Sequence, residues 1–480
     1  MSAHSFPGQM RRRIIIATVL LTAITMVWKS SAFSSDSSMV IKVPKLLGTV
    51  SLPQRFGSTS DLSYLAPHIK SSSFTYAHRS IRTRYVSGER STLSQIPEPL
   101  LGAPYVLSKN NLTALRIDTP SVLTLEVPKT PQVDTSILSF GIATKLARLE
   151  QALAQLEYWL PASGAQLHVS IPGSSRPSFA SESLTTEQLY QHAKINMTLH
   201  MDDKPFAKAY FGLIKTLYEA RAPNTQWLVL IDDDTFLPSL PYLVHHLQSS
   251  YDVSQQALVA ALSDNFNQVR AYGLMPFGGG GIFISMPLAE FLVQREVWDK
   301  CLENPKTEGD QIVHDCLNGH SIIRPAHDAG LQQMDIHGDP SGYFESGRRL
   351  LTIHHWKSWY HVDIPLSINV SKACGFECLF QRWSFTDNIV LSNGYSVVEY
   401  PSGFGGLQLS EVELTWDGEW KDYIHHMGPL RARLDREKKR SARLVESSVL
   451  DGIGVRQIYV DKAENMNGEM DRVVELLWLF

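Results

Sequence analysis

The strongest constraint on the fold is an apolar run that ends in three acidic residues. The run 226–231, Gln-Trp-Leu-Val-Leu-Ile, is almost continuously apolar, which is typical of a strand covered on both faces. Asp232, Asp233 and Asp234 follow it directly. Short apolar runs alternate with helical patterns before it, and this βαβ alternation predicts a doubly wound α/β sheet. Ligands of such sheets bind beyond the carboxyl ends of the strands, so the triplet is expected to line a site.

The segments around this strand predict the rest of the architecture. Before the triplet, strands are predicted at 136–142, 166–171 and 195–199, and helices at 146–160 and 206–221. Beyond residue 365 the pattern changes to short alternating stretches, with a hairpin at the Asn393-Gly394 turn, so a smaller β-rich C-terminal module is expected over 366–480. The charged run 431–443 is interpreted as a solvated helix.

The acidic triplet predicts a metal site. Adjacent carboxylates repel one another and therefore favour a bound cation, and oxygen ligands suit Mn²⁺ or Mg²⁺. Side chains of an extended segment alternate, so Asp232 and Asp234 are expected to face a metal and a diphosphate, and Asp233 the opposite side. The alternative is a solvated acidic cluster that caps the helix beginning near Pro238.

The N-terminal segment predicts membrane attachment. Arg11-Arg12-Arg13 precede an uncharged stretch, which favours a cytoplasmic tail over 1–13, a transmembrane anchor over 14–33 and a lumenal body. A signal peptide cleaved near Ser30-Ser31-Ala32 is the alternative. The Ser-, Thr- and Pro-rich stretch 34–131 is interpreted as a stem, and 132–365 as the main domain.

The four cysteines agree with a lumenal body. They fall into two close pairs, which predicts disulfides between Cys301 and Cys316 and between Cys374 and Cys378. Free buried thiols are the alternative.

Two further features bear on compartment and partners. Acceptor sequons at Asn111, Asn196 and Asn369 are compatible with N-glycosylation. Lys and Arg total 44 against 48 Asp and Glu, a net charge of −4, and no basic stripe is present in the sequence. Nucleic acid is therefore excluded as a partner.

Four consecutive glycines, 278–281, precede another apolar run. Glycine permits backbone conformations closed to other residues and lets a ligand approach the main chain, so these residues are candidates for contact with a sugar. A flexible linker is the alternative.

Several motifs in order resemble one enzyme family. Segment 227–236 resembles the strand and D-x-D motif of the Fringe-like β-1,3-glycosyltransferases, glycosyltransferase family 31. Segments 140–144, 277–285, 308–310 and 353–355 resemble, in turn, the family's first nucleotide-binding strand, glycine-rich segment, acidic motif and late histidine. Segment 334–339 is similar to the larger relatives instead of Fringe, so Fringe's acceptor does not transfer.

The resemblance implies a GT-A-like doubly wound mixed sheet and a single-pass type II protein of the Golgi membrane. It implies an inverting transferase that moves a hexose or N-acetylhexosamine from a UDP-sugar to a glycan or glycoprotein, in β-1,3 linkage. A noncatalytic lumenal carbohydrate-binding or scaffold protein on the same fold is the competing function.

The resemblance also implies roles for particular residues. It implies Mn²⁺ or Mg²⁺ held by Asp232, Asp234 and His354, with His355 as the alternative histidine. It implies Asp310 as the catalytic base, whereas the residues alone favour an ordinary first-turn helix acid. The donor would be bound by the acidic triplet, Asp233 included, and by Gly279, Gly280 and Gly281.

Overall fold

A computed structural model describes residues 60–119, 121–173, 180–417, 427–463 and 469–480. The expected tail (1–13), the expected anchor (14–33) and the first part of the expected stem lie outside the described residues. Within the described ranges, no helix is both long enough and apolar enough to cross a membrane.

The N-terminal described segment forms strands and not the expected stem. After a 3₁₀ helix at Ser63–His68 come β1 (Ser73–Val86), β2 (Ser94–Gln95), β3 (Tyr105–Ser108) and β4 (Val122–Pro128). Phe74 and Ile81 of β1 are fully buried. The expectation of a stem over 34–131 is therefore wrong from residue 60 onward, because the Ser- and Thr-rich stretch carries buried apolar residues between its polar ones.

The middle of the chain alternates strands and helices as predicted. Its elements are β5 (Leu138–Ala143), α1 (Leu146–Trp159), β6 (Gln166–Pro172), α2 (Ala180–His192), β7 (Met197–Asp202), α3 (Phe206–Ala220), β8 (Trp227–Ile231), α4 (Leu240–Ser250), β9 (Leu258–Ala261), α5 (Phe266–Tyr272), β10 (Phe277–Ser285), α6 (Met286–Leu292), α7 (Arg295–Leu302), α8 (Gly309–His320) and β11 (Ala326–His327).

These strands form a mixed sheet, called the central sheet, in the order β11-β9-β10-β8-β5-β6-β7. β8, β5, β6 and β7 run parallel, and β10 is antiparallel to both β8 and β9. Phe140 and Val229 pack with Leu149 of α1 on one face, whereas Leu230 packs with Phe211 of α3 on the other. Both faces of β8 are thus covered, which explains its continuous apolar run.

The remaining elements follow the central sheet. They are β12 (Leu331–Gln332), β13 (His337–Gly338), α9 (Ser341–Phe344), β14 (Thr352–Ile353), α10 (Ile364–Ile368), α11 (Ser371–Cys374), β15 (Arg382–Ser384), β16 (Ile389–Ser392), β17 (Ser396–Glu399), β18 (Val412–Glu413), β19 (Trp416–Asp417), β20 (Leu430–Arg431), β21 (Arg440–Leu450), β22 (Gly454–Asp461) and β23 (Asp471–Leu479).

A second sheet joins the two ends of the described chain. Its order is β2-β15-β16-β17-β21-β22-β23-β1-β3, with β4 paired to β1. β1 near the start of the described chain lies parallel to β23 at its end. We call it the terminal sheet. It contains the predicted hairpin β16–β17. The expected C-terminal module is therefore β-rich as predicted, but the N-terminal segment completes it.

The charged run 431–443 is not the predicted helix. Arg431 ends β20, residues 440–443 begin β21, and a loop joins the two strands. Lys439 is buried and lies 2.7 Å from both Glu345 and Glu413, and Arg443 lies 2.9 Å from Glu345. Ion pairs with residues far along the chain thus override the local charge pattern.

Both predicted disulfides, Cys301–Cys316 and Cys374–Cys378, are confirmed. The first joins α7 to α8 beside the central sheet.

Candidate active site

The acidic triplet leaves β8 at its carboxyl end, as the sequence predicts. The Asp232 backbone N–H donates to Thr235 Oγ1 at 2.9 Å, and that hydroxyl donates to the Gly279 carbonyl at 2.8 Å. A two-residue bridge between Phe236 and Ile353 brings β14 alongside the triplet. The residue after Ile353 therefore lies at the acidic residues.

That residue, His354, is buried between two of the carboxylates. Its Nε2 lies 3.0 Å from Asp234 Oδ1 and 3.3 Å from Asp232 Oδ2. Burial alone would lower the pKa of His354, but the hydrogen bonds to Asp232 and Asp234 raise it to about 10. Burial alone would raise the pKa of Asp234, but the hydrogen bond and charge of His354 hold it below its usual range. The three side chains act as one electrostatic unit.

This donor set fits a divalent cation. Carboxylate oxygens suit hard ions such as Mg²⁺ and Mn²⁺, and an imidazole nitrogen is accepted by Mn²⁺-type ions. Asp232 Oδ2 and Asp234 Oδ1 both converge on His354 Nε2, so a cation could take the place of the shared proton. Asp232 and Asp234 face this position together, in agreement with the predicted alternation.

His355 lies beside the same position but is engaged elsewhere. One ligand atom each from Asp234, His354 and His355 lie within 4.8 Å of one another. Nε2 of His355 is 3.1 Å from Asp335 Oδ1, its Nδ1 is 3.0 Å from Ser358 Oγ, and its ring stacks on Trp359. Because both its ring nitrogens have partners, the geometry favours His354 as the ligand.

Asp233 points away from its neighbours. Its carboxylate accepts two hydrogen bonds from Arg148, at 2.7 and 2.5 Å, and one from the Thr144 hydroxyl. Its backbone carbonyl accepts a hydrogen bond from Gln155 at 2.7 Å. Asp233 therefore fixes the start of α1 and orients Arg148, whose side chain stays 54% exposed. No local signal in the sequence marks Arg148 as a site residue. Its place at the start of the helix after β5 nevertheless puts it at the carboxyl ends of the strands, where ligands of such sheets bind.

The glycine run makes room for protein atoms, and its contact with a sugar stays a prediction. A Cβ at Gly279 would lie 2.0 Å from the His354 ring, and a Cβ at Gly280 would lie 2.3 Å from Ala261. Gly281 has a φ of +98° in the irregular part of β10, where its pairing with β9 shifts register. Gly279, Gly280 and Gly281 thus face protein atoms, and the member of the run that lines a cleft is Gly278.

Asp310 occupies the first turn of α8, as the sequence predicts. One carboxylate oxygen accepts the Gly278 N–H at 3.3 Å, and the other accepts the Gln311 N–H at 2.8 Å. Burial raises the pKa of Asp310 to about 7; the hydrogen bond from Gly278 opposes the rise, and the negative charge of Asp232 adds to it. A carboxylate with a pKa near neutral can take a proton from a hydroxyl group.

Two clefts meet at Asp310 and Glu308. The first cleft has a volume of about 340 Å³ and is lined by residues that include Thr144, Lys145, Arg148, Tyr210, Asp232, Asp233, Gly278, Glu308 and Asp310. The second cleft has a volume of about 180 Å³ and is lined by residues that include Gln268, Tyr272, Phe277, Glu308, Asp310, Gln311, Gln333, Asp335, His355 and Trp359. A larger groove, of about 600 Å³, lies beside Tyr158 and Phe376 and contains none of the predicted site residues.

Tyr210 of α3 is a site residue that the sequence did not reveal. A Cβ at Gly278 would lie 2.3 Å from its hydroxyl, and a Cβ at Gly309 would lie 2.4 Å from its ring. Within the described residues, this buried hydroxyl has no hydrogen-bond partner, and it lines the first cleft. In the sequence it is one of several apolar and aromatic positions of a buried helix, so no local signal distinguishes it.

Residues 267–397 match a family described as a protein of unknown function, DUF604. No curated protein matches the chain.

Solved structures with similarity include two glycosyltransferases. Mouse xyloside xylosyltransferase 1 is 9% identical, with 39% of this chain and 84% of that chain covered at a TM-score of 0.27. The glycosyltransferase GlyE of Streptococcus pneumoniae is 12% identical, with 39% of this chain and 44% of that chain covered at a TM-score of 0.25. A diphosphocytidyl-methylerythritol synthase of Anaerococcus prevotii is 10% identical, with 41% of this chain and 88% of that chain covered at a TM-score of 0.28. TM-scores of this size do not assign a function.

Proposed function

We propose that this chain is a metal-dependent, inverting glycosyltransferase that uses a UDP-sugar donor and transfers a hexose or N-acetylhexosamine to a glycan or glycoprotein. The observation that carries the proposal is the pairing of two units across one cleft. Asp232, Asp234 and His354 form a donor set for a divalent cation, and Asp310, which has a pKa near neutral, lines the same cleft as Asp232. The ordered resemblance to the Fringe-like enzymes supports the β-1,3 linkage.

The first cleft suits the nucleotide part of the donor. Lys145 and Arg148 bring positive charge to its wall, and Asp232 lines its acidic end, with the buried Asp234 beside it at His354. A diphosphate carries negative charge that the two carboxylates would repel. A Mn²⁺ or Mg²⁺ ion held by Asp232, Asp234 and His354 would offset this repulsion and stabilise the charge on the departing UDP.

Asp310 supplies the base. The acceptor oxygen forms a bond to the anomeric carbon of the donor, the bond from that carbon to the diphosphate breaks, and UDP departs with the electron pair. Asp310 takes the proton of the acceptor hydroxyl. The N–H groups of Gly278 and Gln311 hold its carboxylate in place at 3.3 and 2.8 Å. One displacement of this kind inverts the anomeric configuration.

The proposed setting is the Golgi lumen, with the chain anchored by residues 14–33 as a type II protein. Both disulfides are of the kind that persists in oxidising compartments.

The test is a donor screen with the purified chain. UDP release is measured for a panel of UDP-sugars with Mn²⁺, and again with EDTA. We expect one or two donors to be turned over, EDTA to stop turnover, and Asp234→Ala to lose both turnover and metal-dependent UDP binding. Asp299→Asn is the matched control, because this carboxylate is 61% exposed on α7.

Two results would contradict the proposal. Equal UDP affinity with and without EDTA would show that no metal ion takes part in UDP binding. Binding of sugars without turnover of any donor would favour the noncatalytic carbohydrate-binding protein.

A further inference from the structure

The two clefts that meet at Asp310 differ in charge. The first cleft carries two cationic side chains, Lys145 and Arg148, beside four carboxylates, of which Asp233 is paired with Arg148 and Glu308 and Asp310 are shared with the second cleft. The described residues that line the second cleft include three carboxylates, Glu308, Asp310 and Asp335, and no Lys or Arg. A cleft lined by one sign of charge attracts ligands of the opposite sign and repels those of its own.

The second cleft also offers uncommitted amide groups. Gln268 and Gln311 line it, and neither side-chain amide is hydrogen-bonded to another described residue. Gln333 is different, since its amide oxygen accepts the Gly280 N–H at 2.7 Å and its nitrogen donates to Asp335 at 3.3 Å. An amide both donates and accepts, which matches the hydroxyl groups of an uncharged sugar.

Aromatic rings complete the cleft. Trp359 lines it and is fixed by stacking on His355 and His337, with ring centroids 4.6 and 4.8 Å away. Tyr272, which also lines the cleft, is 42% exposed at the end of α5. The exposed ring of Tyr272 gives the apolar C–H face of a sugar a surface to pack on, while the sugar's hydroxyl groups reach the amides.

From this division of charge we propose that the second cleft is the acceptor site and that it selects an uncharged hexose or N-acetylhexosamine over acceptors bearing a carboxylate, sulfate or phosphate. The inference rests on the proposed function, since it uses Asp310 as the base shared by both clefts. A sugar in the second cleft would present its hydroxyl to Asp310 from the side opposite the nucleotide. The amides and rings bind it, and the carboxylates repel charged competitors.

The test compares acceptors that differ only in charge. Acceptor-dependent UDP release is measured at low salt for p-nitrophenyl glucoside, galactoside and N-acetylglucosaminide, and for the corresponding glucuronide and galacturonide. We expect the neutral glycosides to be preferred by about tenfold or more, because like charges oppose binding. Gln268→Lys and, independently, Gln311→Lys should each lower the ratio of neutral-glycoside to uronide rates several-fold, because the added positive charge attracts the uronides.

Asn267→Lys is the matched control. It adds the same charge to an exposed neighbour on α5 that does not line the cleft, and should leave the preference unchanged. Donor hydrolysis without acceptor and UDP binding should be unchanged in Asn267→Lys, and the thermal melting curve should be the same in all three variants, which separates an acceptor effect from a folding defect. A wild-type preference for the uronides, or an equal response of Asn267→Lys and Gln268→Lys, would overturn the proposal.

Failure of the proposed function would look different. If no UDP-sugar is turned over, binding of the same glycosides is followed by ligand-observed NMR. Weaker binding of p-nitrophenyl glucoside by Gln268→Lys, with weaker binding of the glucuronide than of the glucoside by the wild type, would support the neutral-sugar site on its own. Equal or stronger binding of the glucuronide would overturn it.

Discussion

Asp233 and its two neighbours face opposite sides of the chain, with Arg148 beside Asp233 and His354 beside Asp232 and Asp234. The alternation of Asp232, Asp233 and Asp234 follows from the two-residue period of an extended chain, so the sequence already separates Asp232 and Asp234, the proposed metal ligands, from the middle residue. The partner of Asp233 is Arg148 of α1. This helix follows β5, the strand that pairs with β8 in the central sheet. Its identity depends on the sheet order, which no local pattern contains.

The choice between His354 and His355 shows the same limit. The two are neighbours, and the sequence says only that they face different ways. The surroundings of each decide the matter: Asp232 and Asp234 around His354, and Asp335 and Ser358 around His355. Three of these four partners precede the histidines along the chain by twenty residues or more.

At the residue scale we predict a pH-dependent loss of activity on changing Asp310 to Asn. The base acts only when deprotonated, and burial raises its pKa to about 7, so kcat/KM should rise with pH through about 7 and level off above it. Asp310→Asn should lower transfer by roughly 10²–10⁴-fold and abolish this limb, while UDP still binds. Steady-state rates between pH 5 and 9 and calorimetry with UDP and Mn²⁺ measure both effects.

Asp315→Asn is the control on the same helix. Its carboxylate accepts a hydrogen bond from Asn304 at 3.0 Å and lines neither cleft. It should keep both the rate and the limb. If instead Asp310→Asn kept near-wild-type transfer, the base would have to be another residue.

At the scale of elements, the buried strands and amphipathic helices could be predicted because their signal is periodic. β8 and α1 lie within two residues of the predicted bounds. β10 could not be understood in this way. Its glycines look like a ligand-binding loop or a linker in the sequence, yet each of Gly279 and Gly280 makes room for a side chain from another element.

We therefore predict that Gly279→Ala disrupts the proposed metal site through strand β10. Its Cβ would lie 2.0 Å from the His354 ring, so the ring must leave its place between Asp232 and Asp234. Overpacking of this kind costs about 1–3 kcal/mol of unfolding free energy. Mn²⁺-dependent UDP binding should fall strongly, as measured by calorimetry beside thermal unfolding.

The matched control is Gly319→Ala on α8, where a Cβ meets no atom within 4 Å. In a helix this change should stabilise the protein by about 0.5–1 kcal/mol and leave UDP binding intact. Unchanged metal-dependent UDP binding in Gly279→Ala would show that His354 does not need its observed position.

At the scale of the whole molecule, the predicted stem is wrong from residue 60 onward because strand pairing is nonlocal. β1 and β23 pair in parallel over the register Phe74 with Asp471 to Arg82 with Leu479, with nearly the whole described chain between them. A Ser- and Thr-rich segment is a plausible stem when its partner strand is unknown. With β23 paired to it, β1 buries Phe74 in one hydrophobic core and Ile81 in another.

The final prediction concerns where the folded body begins. A chain of residues 60–480 should fold, whereas residues 132–480, which keep the whole central sheet, should not. The shorter chain lacks β1, β3 and β4, so β23 becomes an open edge, and Leu476 and Trp478, now fully buried, lose part of their cover. Exposed apolar edge strands pair with other chains, so we expect aggregation. Size-exclusion chromatography and thermal unfolding by circular dichroism measure the outcome, and a monomeric 132–480 chain with the same cooperative transition as 60–480 would mean that the N-terminal strands are an appendage after all.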